Sequence, residues 1–162
     1  MRIVVVSDTH RDFDRLYRLA LVEKGRTDLF VHLGDGEQEV DDLRAAFPGL
    51  ALLTVRGNCD LFSMAPDHLL FEEGGVRLFA CHGHSFSVRY SLDGIRSFAR
   101  SSGAKVALFG HTHRRCCLNE GTLTLMNPGS LSEPRDGIFN SYGVIEIVNG
   151  QPFCHLEQLA AD

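Results

Sequence analysis

Short apolar runs alternate with amphipathic stretches along most of this chain. Residues 2–7 hold Ile3-Val4-Val5-Val6, a valine-rich run of the length expected for a buried strand. Across residues 12–24, Phe13, Leu16, Tyr17 and Ala20 recur at i, i+3, i+4 and i+7, which predicts a helix with one apolar face, stopped near Gly25. A second strand is expected over 28–33. A second helix follows over 37–47, with Val40, Leu43 and Phe47 on one stripe and Pro48-Gly49 ending it. Residues 50–55 read as a third strand. This strand–helix order favours parallel strands joined by crossover helices. Residues 59–74 are apolar without a clear period. They read as a loop or short helix against the core, or else as a lid or subunit contact. A strand over 76–81, a helix over 91–102 with Leu92, Ile95 and Ala99 inward, and a strand over 105–109 come next. Beyond them the period shortens to two. Segments 115–126, 142–148 and 152–157 read as antiparallel strands turning at Glu120-Gly121 and Asn149-Gly150.

Composition narrows the function classes. A chain of 162 residues with 44% hydrophobic and 23% charged positions fits one compact domain over 1–162. No apolar run reaches the roughly 20 residues that span a bilayer, and no secretory leader pattern opens the chain, so a cytoplasmic protein is expected. The 5 cysteines are odd in number and contain no C-x-x-C, which argues against a disulfide framework and a thiolate zinc site. A net charge of −5 with no Trp and 3 Tyr argues against a nucleic-acid surface.

Chemistry concentrates where apolar runs end. Asp8-Thr9-His10 follows the first strand, Gly34-Asp35 the second and Gly57-Asn58 the third. His82-Gly83-His84 and Gly110-His111-Thr112-His113 follow the later two. In extended backbone, residues i and i+2 face one way, so each D-x-H or H-x-H pair can aim at one point. Half of the 8 histidines sit in two of these turns. Taken singly, each cluster has an ordinary explanation: Asp35 as a helix cap, Asn58 as a turn residue, and Asp8-Thr9-His10 as a solvated turn. Together, oxygen and imidazole donors at five strand ends point to two divalent metals, a pairing suited to phosphoryl chemistry. Manganese is the first expectation, with nickel, iron, zinc or magnesium as alternatives. His32, inside a strand, reads as a core histidine.

In this order the motifs D-x-H, G-D, G-N, H-G-H and G-H-T-H resemble the calcineurin-like metallophosphoesterase superfamily. The short chain, Gly57-Asn58-Cys59-Asp60 and the loop from Asn127 to Arg135 look like its small single-domain phosphodiesterases of the YfcE type. The resemblance implies a four-layer α/β/β/α sandwich with two mixed β-sheets. It implies Asp8, His10, Asp35 and His113 around one metal, and Asp35, Asn58, His82 and His111 around the other. The expected activity is hydrolysis of a small phosphodiester by a hydroxide activated between the two ions. Asn58 is expected to donate to a phosphoryl oxygen as well as to ligate. His84 is expected at the substrate or leaving group, and Arg135 on the phosphate; a supporting or surface histidine and a surface arginine are the plainer alternatives. Arg56, Arg114 and Arg115 read as solvated. Where many phosphoprotein phosphatases of the superfamily place a histidine after the asparagine, this chain has Cys59, which argues against that activity. A homo-oligomer fits the resemblance, as does a second role: one eukaryotic retromer subunit of this fold is a protein scaffold, a role that goes with eroded donors.

Overall fold

A computed structural model describes residues 1–137 and 139–160. The first sheet has strand order β10-β9-β1-β2-β3. Its members are β1 (Arg2–Val6), β2 (Leu29–His32), β3 (Leu52–Thr54), β9 (Ser141–Val148) and β10 (Gln151–Gln158). The second has order β4-β5-β6-β8-β7. It holds β4 (His68–Glu73), β5 (Val76–Cys81), β6 (Val106–Leu108), β7 (Arg115–Asn119) and β8 (Thr124–Pro128). Both are mixed. Strand β1 pairs with β2 in parallel and with β9 antiparallel. Strand β5 pairs with β6 in parallel and with β4 antiparallel.

Three apolar clusters set the layers. Ile3, Val5, Val31, Leu78, Leu108, Met126 and Ile145 fill the space between the sheets. Helices α1 (Phe13–Glu23) and α2 (Glu37–Ala46) cover the outer face of the first sheet, with Leu16, Leu19, Ala20 and Leu43 against Val4, Val6 and Phe30. Helix α3 (Asp93–Ser101) covers the second sheet, with Ile95 and Ala99 against Phe79 and Phe109. The result is the expected α/β/β/α sandwich. Strands β1 and β2 are apolar on both faces because helices cover one side and the partner sheet the other.

Two expectations need correction. The apolar face of α1 is Leu16, Leu19 and Ala20, not the stripe through Tyr17. Tyr17 is 37% exposed and lies over the seam between α1 and α2, its ring 5.3 Å from that of Phe47. Within 59–74, residues 68–73 form β4, a strand rather than a loop or helix. Leu69 and Phe71 turn toward the inter-sheet core while Leu70 is 45% exposed, so apolar residues occupy both faces and hide the alternation. Gly74 and Gly75, at φ of 55° and 76°, make the two-residue turn into β5, as Asn149 and Gly150 do between β9 and β10.

Candidate metal centre

The parallel strands β1, β2 and β3 of one sheet and β5 and β6 of the other end at a shared rim, and each is followed by one of the motif turns. Main-chain hydrogen bonds lock these turns together. The Asp8 N–H donates to the Gly34 carbonyl at 3.1 Å, His10 N–H to that of Asp35 at 3.0 Å, and Gly110 N–H to that of His82 at 2.9 Å. The extended i, i+2 geometry expected of the pairs is not what aims the side chains. Asp8, His10, Asp35, His111 and His113 all adopt left-handed backbone, with φ from 43° to 68°. Non-glycine residues hold that conformation only where surroundings impose it, most often at functional sites. Gly57 permits a close approach between turns: a Cβ there would collide with the Asp35 carboxylate and N–H.

Side chains converge as the sequence predicts for most of the set. His113 Nε2 lies 3.2 Å from Asp8 Oδ1 and 3.1 Å from His10 Nε2. His10 Nε2 is 3.8 Å from Asp8 Oδ1 and 3.9 Å from Asp35 Oδ2. His82 Nε2 lies 3.4 Å from Asp35 Oδ2 and 3.0 Å from Asn58 Oδ1. Donor atoms of Asp8, His10 and His113, and those of Asp8, Asp35 and His82, each fall within 4.8 Å of one another. His111 stands beside the second group, its ring 5.1 Å from that of His82, and its N–H donates to Asp8 Oδ2 at 3.0 Å.

The ring nitrogens decide what this arrangement fits. His82 Nδ1 is 2.7 Å from the Leu33 carbonyl oxygen, and His113 Nδ1 is 2.8 Å from that of Glu133. A carbonyl only accepts, so each Nδ1 carries a proton, and each Nε2 is left facing carboxylate and amide oxygens. Nitrogen against oxygen at 3.0–3.4 Å is held by a positive charge between them, supplied by an Nε2 proton or by a metal ion in its place. Asp8 Oδ1, fully buried, has no hydrogen-bond partner among the described residues. These features match metal-bound imidazoles oriented by backbone carbonyls.

Titration follows the same charges. Burial pushes the Asp8 carboxyl up, but His113, His82 and the Ser7 hydroxyl outweigh it and hold it low. Burial likewise opposes ionisation of Asp35, and the His82 ring with the Cys59 N–H more than compensates. His82 and His113 are raised, each despite burial, by a carboxylate partner: Asp35 for His82 and Asp8 for His113. Burial, with His82 and Arg89 nearby, drops His111 to about 4, which keeps it a neutral donor near pH 7. Cys59 Sγ also comes within reach of His10 and Asp35, but burial and the Asp35 carboxylate push its thiol to about 11.

A family model for the calcineurin-like phosphoesterase superfamily domain matches residues 1–150. The chain belongs to the calcineurin-like phosphoesterase superfamily. A probable metallophosphoesterase of Bacillus subtilis, YsnB, is 30% identical over 150 residues, covering 92% of this chain and 86% of that one. The phosphodiesterase YfcE of Escherichia coli is 33% identical over 105 residues, 59% of this chain and 52% of its own. A solved structure from Streptococcus pneumoniae, described as a predicted phosphoesterase, superposes with a TM-score of 0.85 at 28% identity, over 97% of this chain and 88% of that one. As a member of this metallophosphoesterase superfamily, the chain is a metal-dependent phosphoesterase.

Other expected residues fall at the margin of the calcineurin-like site. His84 begins a 3₁₀ turn, His84–Phe86, with its ring 5.4 Å from that of His82 and 6.1 Å from that of His111. Burial and the His82 charge lower it, and its Nδ1 is buried without a partner. The Arg135 N–H donates to the His113 carbonyl at 2.9 Å, and its exposed guanidinium bears on His113 by charge. Arg56 is tied to Asp67 at 2.6 Å and Arg115 to Asp136 at 2.7 Å. His32 is buried as expected, between Thr9 Oγ1 at 3.1 Å and the Gly34 N–H at 3.1 Å.

Three positioning residues escape sequence reasoning. Asp60 accepts from the N–H groups of Asp35, Gly36, Glu37 and Gly57 at 2.8–3.1 Å, which joins the second and third motif turns. Asn127, fully buried, donates to the Gly110 carbonyl at 2.9 Å and to Thr112 Oγ1 at 3.0 Å. Ser130 donates to the Asp8 carbonyl at 2.7 Å. Their only sequence signal is that they stand inside the quoted motifs.

Proposed function

We infer that the chain, acting as a single domain over 1–162, is a phosphodiesterase working through two divalent ions. Asp8, His10, Asp35 and His113 would hold one ion; Asp35, Asn58, His82 and His111 would hold the other. The observation that carries this reading is the pair of imidazoles, His82 and His113, whose Nδ1 atoms are held by carbonyls and whose Nε2 atoms face carboxylate oxygens. Asp35 suits the bridging position because it lies within ion-pair range of both His10 and His82. Bound by these residues, such ions, manganese first, would supply a water acidified toward neutrality and positive charge for phosphoryl oxygens.

This chain's own residues do the rest. Neutral His111 supplies a donor without adding charge, and His82 and His113 would do the same with a metal in place of the Nε2 proton. The Asn58 amide, its carbonyl turned toward His82, donates one N–H to Cys59 Sγ at 3.3 Å and has the other for a phosphoryl oxygen as negative charge grows there. Arg135 supports an anionic substrate at the His113 side, and His84 stands where a leaving oxygen needs a proton. Cys59, as a thiol titrating at about 11, is a poor acid for a strongly basic leaving group, which favours diesters with stabilised leaving groups over phosphoproteins. The scaffold alternative predicts eroded donors, and all seven are present.

The test is direct. EDTA treatment should abolish hydrolysis of a chromogenic phosphodiester, and Mn²⁺ should restore it with two ions per chain by elemental analysis. Asp35→Ala should regain less than about a hundredth of wild-type turnover and bind fewer ions. Full turnover in EDTA, or an Asp35→Ala variant with undiminished activity, overturns the assignment.

A further inference from the structure

A cavity of about 530 Å³ opens directly beside the metal centre. His10 and Asp35 belong to both, so a phosphorus held at the metals stands at the cavity's edge. The remaining wall comes from two places. Arg11 and the start of α2, Glu37, Gln38 and Glu39, form the polar side; Leu61 and Phe62 form the other. Leu61 is 77% exposed and Phe62 is 93% exposed, so neither finds cover among the described residues.

Resting on the phosphodiesterase reading, we propose that this cavity is the subsite for one organic arm of the ester, and that the arm carries a flat, uncharged aromatic ring stacked on Phe62. The volume lies within the range of small-ligand pockets and exceeds what a methyl or simple alkyl arm fills. A phenyl face with a leucine beside it favours a ring over a flexible chain, since rings bring large contact area at low conformational cost. Charge selects further. The Glu37 and Glu39 carboxylates lie on the wall with the Asp35 carboxylate and outnumber the cation there, Arg11, which disfavours an anionic arm such as a second phosphate. The Glu39 carboxylate is already engaged, accepting from Thr9 Oγ1 at 2.9 Å and the Arg11 N–H at 2.5 Å. Gln38 donates its amide NH₂ to Asp42 at 3.1 Å, which leaves its oxygen as an acceptor. Glu37, half-buried at the start of α2, supplies a carboxylate acceptor for hydroxyls on the arm. A nucleoside and a simple aryl group share the ring; only the nucleoside brings hydroxyls for Glu37.

The test uses the Mn²⁺-loaded full chain and non-hydrolysed anions. Affinities of methylphosphonate, phenylphosphonate and thymidine 5′-monophosphate are measured by calorimetry and as inhibition of a chromogenic diester. Wild type should bind phenylphosphonate about tenfold more tightly than methylphosphonate. Phe62→Ala should collapse that ratio toward one. Thymidine 5′-monophosphate binding beyond phenylphosphonate, with the excess lost in Glu37→Gln, identifies a nucleoside arm; equal binding identifies a plain aryl arm. Three results overturn the subsite: no gain from the ring in wild type, an unchanged ratio in Phe62→Ala, or a Phe62→Ala variant altered only in oligomeric mass. The phosphodiesterase reading fails separately, if the loaded protein neither turns over the diester nor binds methylphosphonate.

Discussion

At the scale of single residues, the site depends on groups that touch no ion. Asp60 gathers four N–H donors from two turns, and those turns carry Asp35 and Asn58. Hydrogen bonds to a carboxylate are the stronger kind, and buried N–H groups left without acceptors are costly. Asp60→Ala should therefore lower stability by about 2–3 kcal/mol in denaturant titration and weaken Mn²⁺ binding by about tenfold to a hundredfold. Unchanged metal affinity in a folded Asp60→Ala protein would show that the turns hold their shape without it. Asp60 was within sight in the sequence as part of Gly57-Asn58-Cys59-Asp60. Its role was not, because a carboxylate that caps main-chain groups and one that binds metal look alike in a motif.

At the scale of elements, the turns matter more than the strands they follow. The alternation of apolar runs located β1, β2, β5 and β6 and the helices between them, because covering both faces of a sheet demands continuous apolar runs. It missed β4, whose apolar residues point both ways. The tight passage between the second and third motif turns is set by Gly57. Adding a Cβ there strikes the Asp35 carboxylate, whereas Gly49 has open space around it. Gly57→Ala should lose at least tenfold in Mn²⁺ affinity, and Gly49→Ala should match wild type in the same titration. Equal affinities for the two variants would mean that Asp35 shifts without penalty.

Across the whole molecule, an ion-pair network ties the chain's two ends together. Glu23, buried at the end of α1, accepts from Arg2 on β1 at 3.2 Å, from Arg26 at 2.5 Å and from Tyr142 on β9 at 3.1 Å. The single Tyr142 hydroxyl proton is shared with Glu157 on β10, the nearer carboxylate at 2.6 Å. Burial opposes the Glu23 charge, yet Arg2 and Arg26 hold its carboxyl below its ordinary 4.5. A carboxyl lowered by folding contributes stability above its unfolded value and loses it as pH falls through the folded one. Wild-type stability should thus drop steadily below about pH 4.5, and Glu23→Gln should be less stable near neutrality with a flatter acid limb in denaturant titrations. Parallel acid limbs for the two proteins would remove Glu23 from this role.

What the sequence determined by itself was the order of elements other than β4, the two-sheet class through the family resemblance, and the five motif turns that the structure brings to one rim. Those are properties of local period and of residue type at strand ends, and both are written along the chain. Tertiary structure alone decided that the donors are aimed by left-handed backbone rather than by extended pairs. It also decided that Leu33 and Glu133 carbonyls hold the imidazole Nδ1 atoms, and that Phe62 lines a cavity shared with His10 and Asp35. Each of these depends on contacts between segments far apart in sequence, and one-dimensional spacing carries no record of such distances.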